Sequence, residues 1–89
     1  DAWEHLNGLS AYHRGIVVSA VEVQLRYTPM EETRHRKTLG PNPLAAWELR
    51  VGDFRVFYDV IESDAVVTIH AIGVKIHNRL TIAGEDYEP

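Results

Sequence analysis

Arg50 and Arg55 flank the segment Val51-Gly52-Asp53-Phe54, an arrangement that can bring two guanidinium groups together on one surface. Gly52-Asp53, with glycine first and alternating apolar residues on both sides, is the signature of a two-residue type II′ hairpin. Counting outward from the turn pairs Val51 with Phe54, Arg50 with Arg55, Leu49 with Val56, Glu48 with Phe57 and Trp47 with Tyr58. Side chains alternate between the faces of a strand, so Trp47, Leu49, Val51, Phe54, Val56 and Tyr58 form one apolar surface while Arg50 and Arg55 stand together on the other. Like charges directly opposite one another cost about 0.2–1 kcal/mol. An anion between them removes that cost, so the chemistry the pair offers is oxyanion binding. The competing reading is that each arginine pairs with Glu48, Asp59 or the acidic C-terminal residues and serves solubility alone.

The elements that must hold the pair follow from the surrounding pattern. Strands are predicted from about Ala45 to Val51, Phe54 to Ile61 and Ala65 to Ile72. A second turn centred on Ser63-Asp64 pairs Val60 with Val67, Tyr58 with Ile69, Phe57 with His70, Val56 with Ala71 and Arg55 with Ile72. One face of this layer is almost wholly apolar and should take the helices; the other carries Glu48, Arg50, Arg55, Phe57, Asp59, Thr68 and His70. Upstream, Ala2 to about Asn7 reads as a short helix ended by Gly8. Ser10 then caps a second helix running to about Tyr27, where Thr28-Pro29 stops it. Tyr12, Ile16, Ala20, Val23 and Tyr27 follow helical spacing, although Val21-Glu22-Val23-Gln24-Leu25-Arg26 alternates as a strand would. Length and the cap favour the helix. Met30 to Pro43 is polar, with Arg34-His35-Arg36-Lys37 followed by Leu39-Gly40-Pro41-Asn42-Pro43, and reads as a long connecting loop with a basic start. After Gly73 the chain is basic through Lys75, His77 and Arg79, with a short strand leading to Ala83-Gly84.

Size and composition bound what this chain can be. With 89 residues it makes one domain, 1–89, able to bury only about 60 to 65 per cent of its unfolded surface. At 45% hydrophobic and 25% charged residues it reads as globular rather than disordered. The absence of cysteine excludes disulfides and thiolate metal sites and fits a reducing cytoplasm. No apolar run approaches the roughly 18 residues of a membrane span and no signal peptide is visible, so a soluble, cytoplasmic chain is expected. The first residue is Asp1 rather than methionine, as in a fragment or a processed form. The net charge of −4 argues against a generally basic nucleic-acid binder. Its distribution is uneven, however: of nine Lys and Arg residues, all but Arg14 and Arg26 lie between Arg34 and Arg79. A local basic site can coexist with an acidic whole.

The run Pro43-Leu44-Ala45-Ala46-Trp47-Glu48-Leu49-Arg50-Val51-Gly52-Asp53-Phe54-Arg55-Val56-Phe57-Tyr58-Asp59-Val60, with Ile72-Gly73-Val74-Lys75 ending a strand, resembles the RelE/ParE superfamily of toxins from bacterial type II toxin–antitoxin modules. The resemblance spans nearly the whole chain, from the helices to Lys75. It implies an α+β fold, two N-terminal helices on one face of a small antiparallel sheet, and it makes the segment from Ser10 to Tyr27 helical. The superfamily's usual first strand is missing, since Asp1 falls about where the first helix begins. Such a loss leaves a sheet position unpaired.

In RelE-like members the substrate's own 2′-hydroxyl attacks the adjacent phosphate, so the protein must clamp phosphate oxygens and move protons. The resemblance implies a ribosome-dependent mRNA endoribonuclease, held inactive by a cognate antitoxin, that needs no metal and no cofactor. It implies that Arg55 contacts the scissile phosphate and that Lys75, after the strand's glycine, is a second clamp. Arg36 and Lys37 then lie where relatives carry RNA-binding charges, Arg50 adds a contact beside Arg55, and Arg79 extends the basic stretch. Thr81 stands where such relatives often carry a tyrosine, and a threonine hydroxyl is a poor acid or base. His77 and Glu48 are the substitutes, histidine because it titrates near neutrality and Glu48 because it shares a face with Arg50. Each has a bland alternative: a solvated loop histidine, and an ion pair relieving the arginines. His70 reads as a half-buried sheet histidine, and Trp47 and Tyr58 as core. His5, His13 and His35 are too scattered for metal-ligand spacing, so no metal site is expected. Two alternatives to the nuclease stand beside it: a ParE-like inhibitor of DNA gyrase, and a non-catalytic module that binds its antitoxin. The closing Gly84-Glu85-Asp86-Tyr87-Glu88-Pro89 adds an expectation of its own, an acidic tail folding across the basic site as a phosphate mimic.

Overall fold

The computed structural model describes residues 2–26, 29–42 and 44–87. Helices α1 (Ala2–Asn7) and α2 (Ala11–Leu25) precede strands β1 (Arg36–Thr38), β2 (Trp47–Val51), β3 (Phe54–Ile61), β4 (Val66–Ile76), β5 (Arg79–Ile82) and β6 (Glu85–Asp86). The strands form one antiparallel sheet in chain order, an α+β arrangement. Several expectations fall outside the described residues: helix onset at Asp1, the helix end at Tyr27-Thr28, Pro43 in the family-like run, and Glu88-Pro89 in the tail.

Ser10 caps α2 as its position suggests, in extended conformation and accepting the His13 N–H at 3.1 Å. The buried stripe of α2 differs from the one its spacing suggested. Val17 and Leu25 are buried with Val21 packed beside them, whereas Tyr12, Ile16 and Val23 face solvent. Apolar residues surround most of this helix, so periodicity alone could not choose the face.

The first hairpin matches its expected register from Trp47↔Tyr58 to Val51↔Phe54. Gly52 takes φ +58 while Asp53 does not enter the left-handed region, the type II′ pattern that glycine at the first turn position permits. The second hairpin follows expectation from Val60↔Val67 to Tyr58↔Ile69 and then departs from it. A β-bulge at His70 shifts the partners by one, giving Phe57↔Ala71, Val56↔Ile72 and Arg55↔Gly73 rather than Phe57 with His70, Val56 with Ala71 and Arg55 with Ile72. The shift sends Ile72 into the core beneath the helices with Val17, Leu25, Trp47, Leu49, Val56 and Tyr58. β4 runs on to Ile76, four residues past its expected end.

The stretch expected to be loop contains an edge strand, Arg36–Thr38 pairing with Trp47–Leu49. Nor is the face away from the helices simply polar. Ala45, Phe57 and Ala71 form a second apolar cluster there, flanked by Leu39 and Leu44 from the β1–β2 connection and by Leu80 and Ile82 from β5. Asn42 organises that connection: its Oδ1 accepts the Leu44 and Ala45 N–H groups at 2.7 and 3.2 Å. β4 meets β5 only over Gly73–Ile76, so among the described residues Val66–Ile72 pair on one side alone. α1 packs against this part, and His5 Nδ1 accepts the Ile72 N–H at 3.1 Å.

Candidate functional site

The open face of the sheet, away from the helices, gathers five of the candidate residues. Arg50 and Arg55 are cross-strand partners there. The Arg50 N–H donates to His35 O at 2.7 Å, toward β1 and away from β3. Arg50 and Arg55 are therefore a non-hydrogen-bonded pair, the kind whose Cα atoms approach to about 4.5 Å. The two side chains then take different environments. Arg55 is 9% exposed, and its Nη1 donates to Gly52 O at 2.7 Å and to Phe54 O at 2.9 Å, so its charge is fixed against the turn. Arg50 is exposed, and among the described residues its guanidinium has no hydrogen-bond or ion-pair partner. One arginine is a buried, anchored charge; its neighbour is free to take a ligand.

Glu48, Lys37 and Lys75 complete the cluster. Glu48 is 7% exposed and lies opposite Lys37, whose Nζ is 3.5 Å from its Oε2. Lys75 is half-buried on the same face, two residues beyond Gly73, with its N–H donating to Asp53 O at 2.7 Å. Gly73 sits opposite Arg55. A Cβ there would lie 2.8 Å from Thr81 O, 2.9 Å from Leu80 Cδ1 and 3.0 Å from Ile82 Cγ1, so β5 closes against it with no space to spare.

The other candidates are elsewhere. Arg36, partnered with Leu49, turns to the helix side; it is 7% exposed and donates to Gln24 O at 2.9 Å, satisfying a carbonyl in the last turn of α2. Arg79 and Thr81 share the helix-side parity with Ile76 and Val74. Arg79 Nε lies 3.7 Å from Asp86 Oδ2, and the Thr81 hydroxyl donates to Val74 O at 3.5 Å. His77 is exposed in the β4–β5 turn, with φ +52. Burial pushes the Tyr58 hydroxyl up to about 12, with the Arg36 charge pulling the other way, and Tyr58 donates to Pro29 O at 2.7 Å. The described part of the tail does not cross the arginine pair: Glu85–Asp86 joins β5 as an added strand.

One polar constellation escaped the sequence reading. His70, displaced by the bulge, places Nε2 2.7 Å from Asp59 Oδ2, and Asp59 Oδ1 accepts the Ala46 N–H at 2.7 Å. Its signal lay in the alternation of β4, but the bulge that aims His70 at Asp59 leaves no mark in the residue pattern. No three His, Asp or Glu side chains among the described residues converge as a metal site. Comparison with family models, curated proteins and solved structures yields no match.

Proposed function

We propose that this chain is the toxin component of a type II toxin–antitoxin pair of RelE/ParE type, acting in the cytoplasm as a metal-independent endoribonuclease on mRNA at the ribosome. The observation that carries the reading is the in-register pair of Arg50 and Arg55 on the open face, with Lys37 and Lys75 beside it. A fixed guanidinium behind a free one is a phosphate receptor that needs little reorganisation on binding. The two N-terminal helices on the opposite face of an antiparallel sheet support the same reading. The cognate antitoxin would neutralise the domain, and the exposed Tyr12, Ile16 and Val23 on α2 suit an amphipathic antitoxin segment.

Thr81 on the helix side and Arg55 tied to its own turn favour a second reading, a ParE-like gyrase inhibitor or a non-catalytic antitoxin-binding member. Inducing the chain and mapping cellular mRNA ends separates the readings. New ends within translated messages, lost in Arg50→Ala, support the nuclease; intact messages together with blocked supercoiling by purified gyrase sink it.

A further inference from the structure

Resting on the nuclease reading, we infer that His70 is the proton-accepting catalytic residue and that Asp59 positions it. A carboxylate can only accept hydrogen bonds, so in the neutral imidazole the 2.7 Å contact puts the ring proton on Nε2 and leaves the lone pair on Nδ1. His70 has no other partner among the described residues. Asp59 is itself held, by the Ala46 N–H on its other oxygen, so the imidazole is oriented by a carboxylate that is oriented by backbone. The pair is about two-fifths exposed at 40% and 41%, within reach of solvent yet beside a wall. That wall is the β1–β2 connection braced by Asn42, and the cleft between them holds about 560 Å³, within the range of small-molecule sites. Among its described lining residues Asp59 is the only ionisable group besides His70. The remaining proton-transfer candidates are off the face or engaged: Thr81 on the helix side, His77 in a turn, Glu48 buried with Lys37.

In this assignment His70 Nδ1 takes the 2′-hydroxyl proton as O2′ bonds to phosphorus. The bond from phosphorus to O5′ breaks, its electron pair leaves on the 5′-oxygen, and solvent protonates that oxygen. The products are a 2′,3′-cyclic phosphate and a 5′-hydroxyl. Asp59 and Arg55 are four residues apart on β3, about 13 Å along the strand. The arginine pair therefore holds a phosphate further along the RNA than the one that reacts, as an anchor.

The test is single-turnover cleavage of translated mRNA on ribosomes, with binding of a short single-stranded RNA measured in parallel. His70→Ala should slow cleavage by about 100-fold or more, the usual worth of a general base, with RNA binding unchanged. Free imidazole should restore part of the cleavage lost in His70→Ala. The Asp59→Asn side chain can still accept the Ala46 N–H, but it presents an amide donor to Nε2 and so favours the wrong tautomer. It should slow cleavage with the fold intact by circular dichroism. Arg50→Ala should instead weaken RNA binding, and cleavage should fall with it. Normal cleavage by His70→Ala overturns the assignment alone, while a wild-type chain that neither binds nor cleaves RNA removes the nuclease reading and the assignment with it.

Discussion

Replacing Arg50 and replacing Arg55 should have opposite consequences, although the two residues are partners in the same hairpin. Arg50 is exposed and unpaired, so Arg50→Ala should change stability by no more than about 0.5 kcal/mol, with a small gain where like-charge repulsion is relieved. Its cost should appear in binding, as weaker RNA affinity and a salt slope shallower by about one. Arg55 is buried and donates twice to its own turn, so Arg55→Ala should lose roughly 1–2 kcal/mol in urea denaturation and with it the order of the hairpin. Loss of activity in that variant would be ambiguous; in Arg50→Ala it would not. A second residue-level prediction concerns His5, whose pKa is lowered from 6.5 chiefly by burial. Only a neutral ring can accept the Ile72 N–H at Nδ1. The unfolded chain therefore binds the proton more readily than the folded one. The contribution is fully present above about pH 6.5 and declines as pH falls through that value toward the lower folded one. Thermal melts from pH 7.5 to 5 should show the decline, and His5→Ala should flatten it while lowering the melting temperature at pH 7.5.

At the scale of elements, β4 and β5 approach closely at Gly73. Gly73→Ala would push a methyl group against the Thr81 carbonyl and the Leu80 and Ile82 side chains, at 2.8 to 3.0 Å. Two of these neighbours can move and the carbonyl cannot, so the expected cost is about 1–3 kcal/mol. At about 4–8 °C per kcal/mol for a domain of this size, the melting temperature should fall visibly by calorimetry. Because Gly73 faces Arg55, the same variant should weaken RNA binding more than its stability loss alone would do. The bulge at His70 is the other element-scale device. By absorbing one residue it puts Ile72 under the helices and His70 beside Asp59 at the same time.

For the whole molecule the governing quantity is charge. The chain carries −4, and the residues after Ala83 hold three of its acids, Glu85, Asp86 and Glu88, so removing them leaves −4 + 3 = −1. Glu85–Asp86 pair with β5 rather than with the arginine face, so these two carboxylates act on a bound anion at a distance. Truncation after Ala83 should therefore raise RNA affinity in low salt and lose that effect near 0.15 M, where charges separated by more than about 8 Å are screened. A gain that persists at high salt would mean direct occlusion. No helix among the described residues is long and apolar enough to cross a membrane. The adjacency of Arg50 and Arg55, the faces of the first hairpin, the Ser10 cap and the α+β order were legible in the chain because they depend on alternation, turn chemistry and capping, all local within a few residues. The buried stripe of α2, the strand at Arg36–Thr38, the apolar cluster around Phe57 and the pairing of His70 with Asp59 were not. Each was decided by which surfaces remained to be covered once the sheet had formed, and a single inserted residue in β4 moved every partner beyond it without altering the pattern from which register is read.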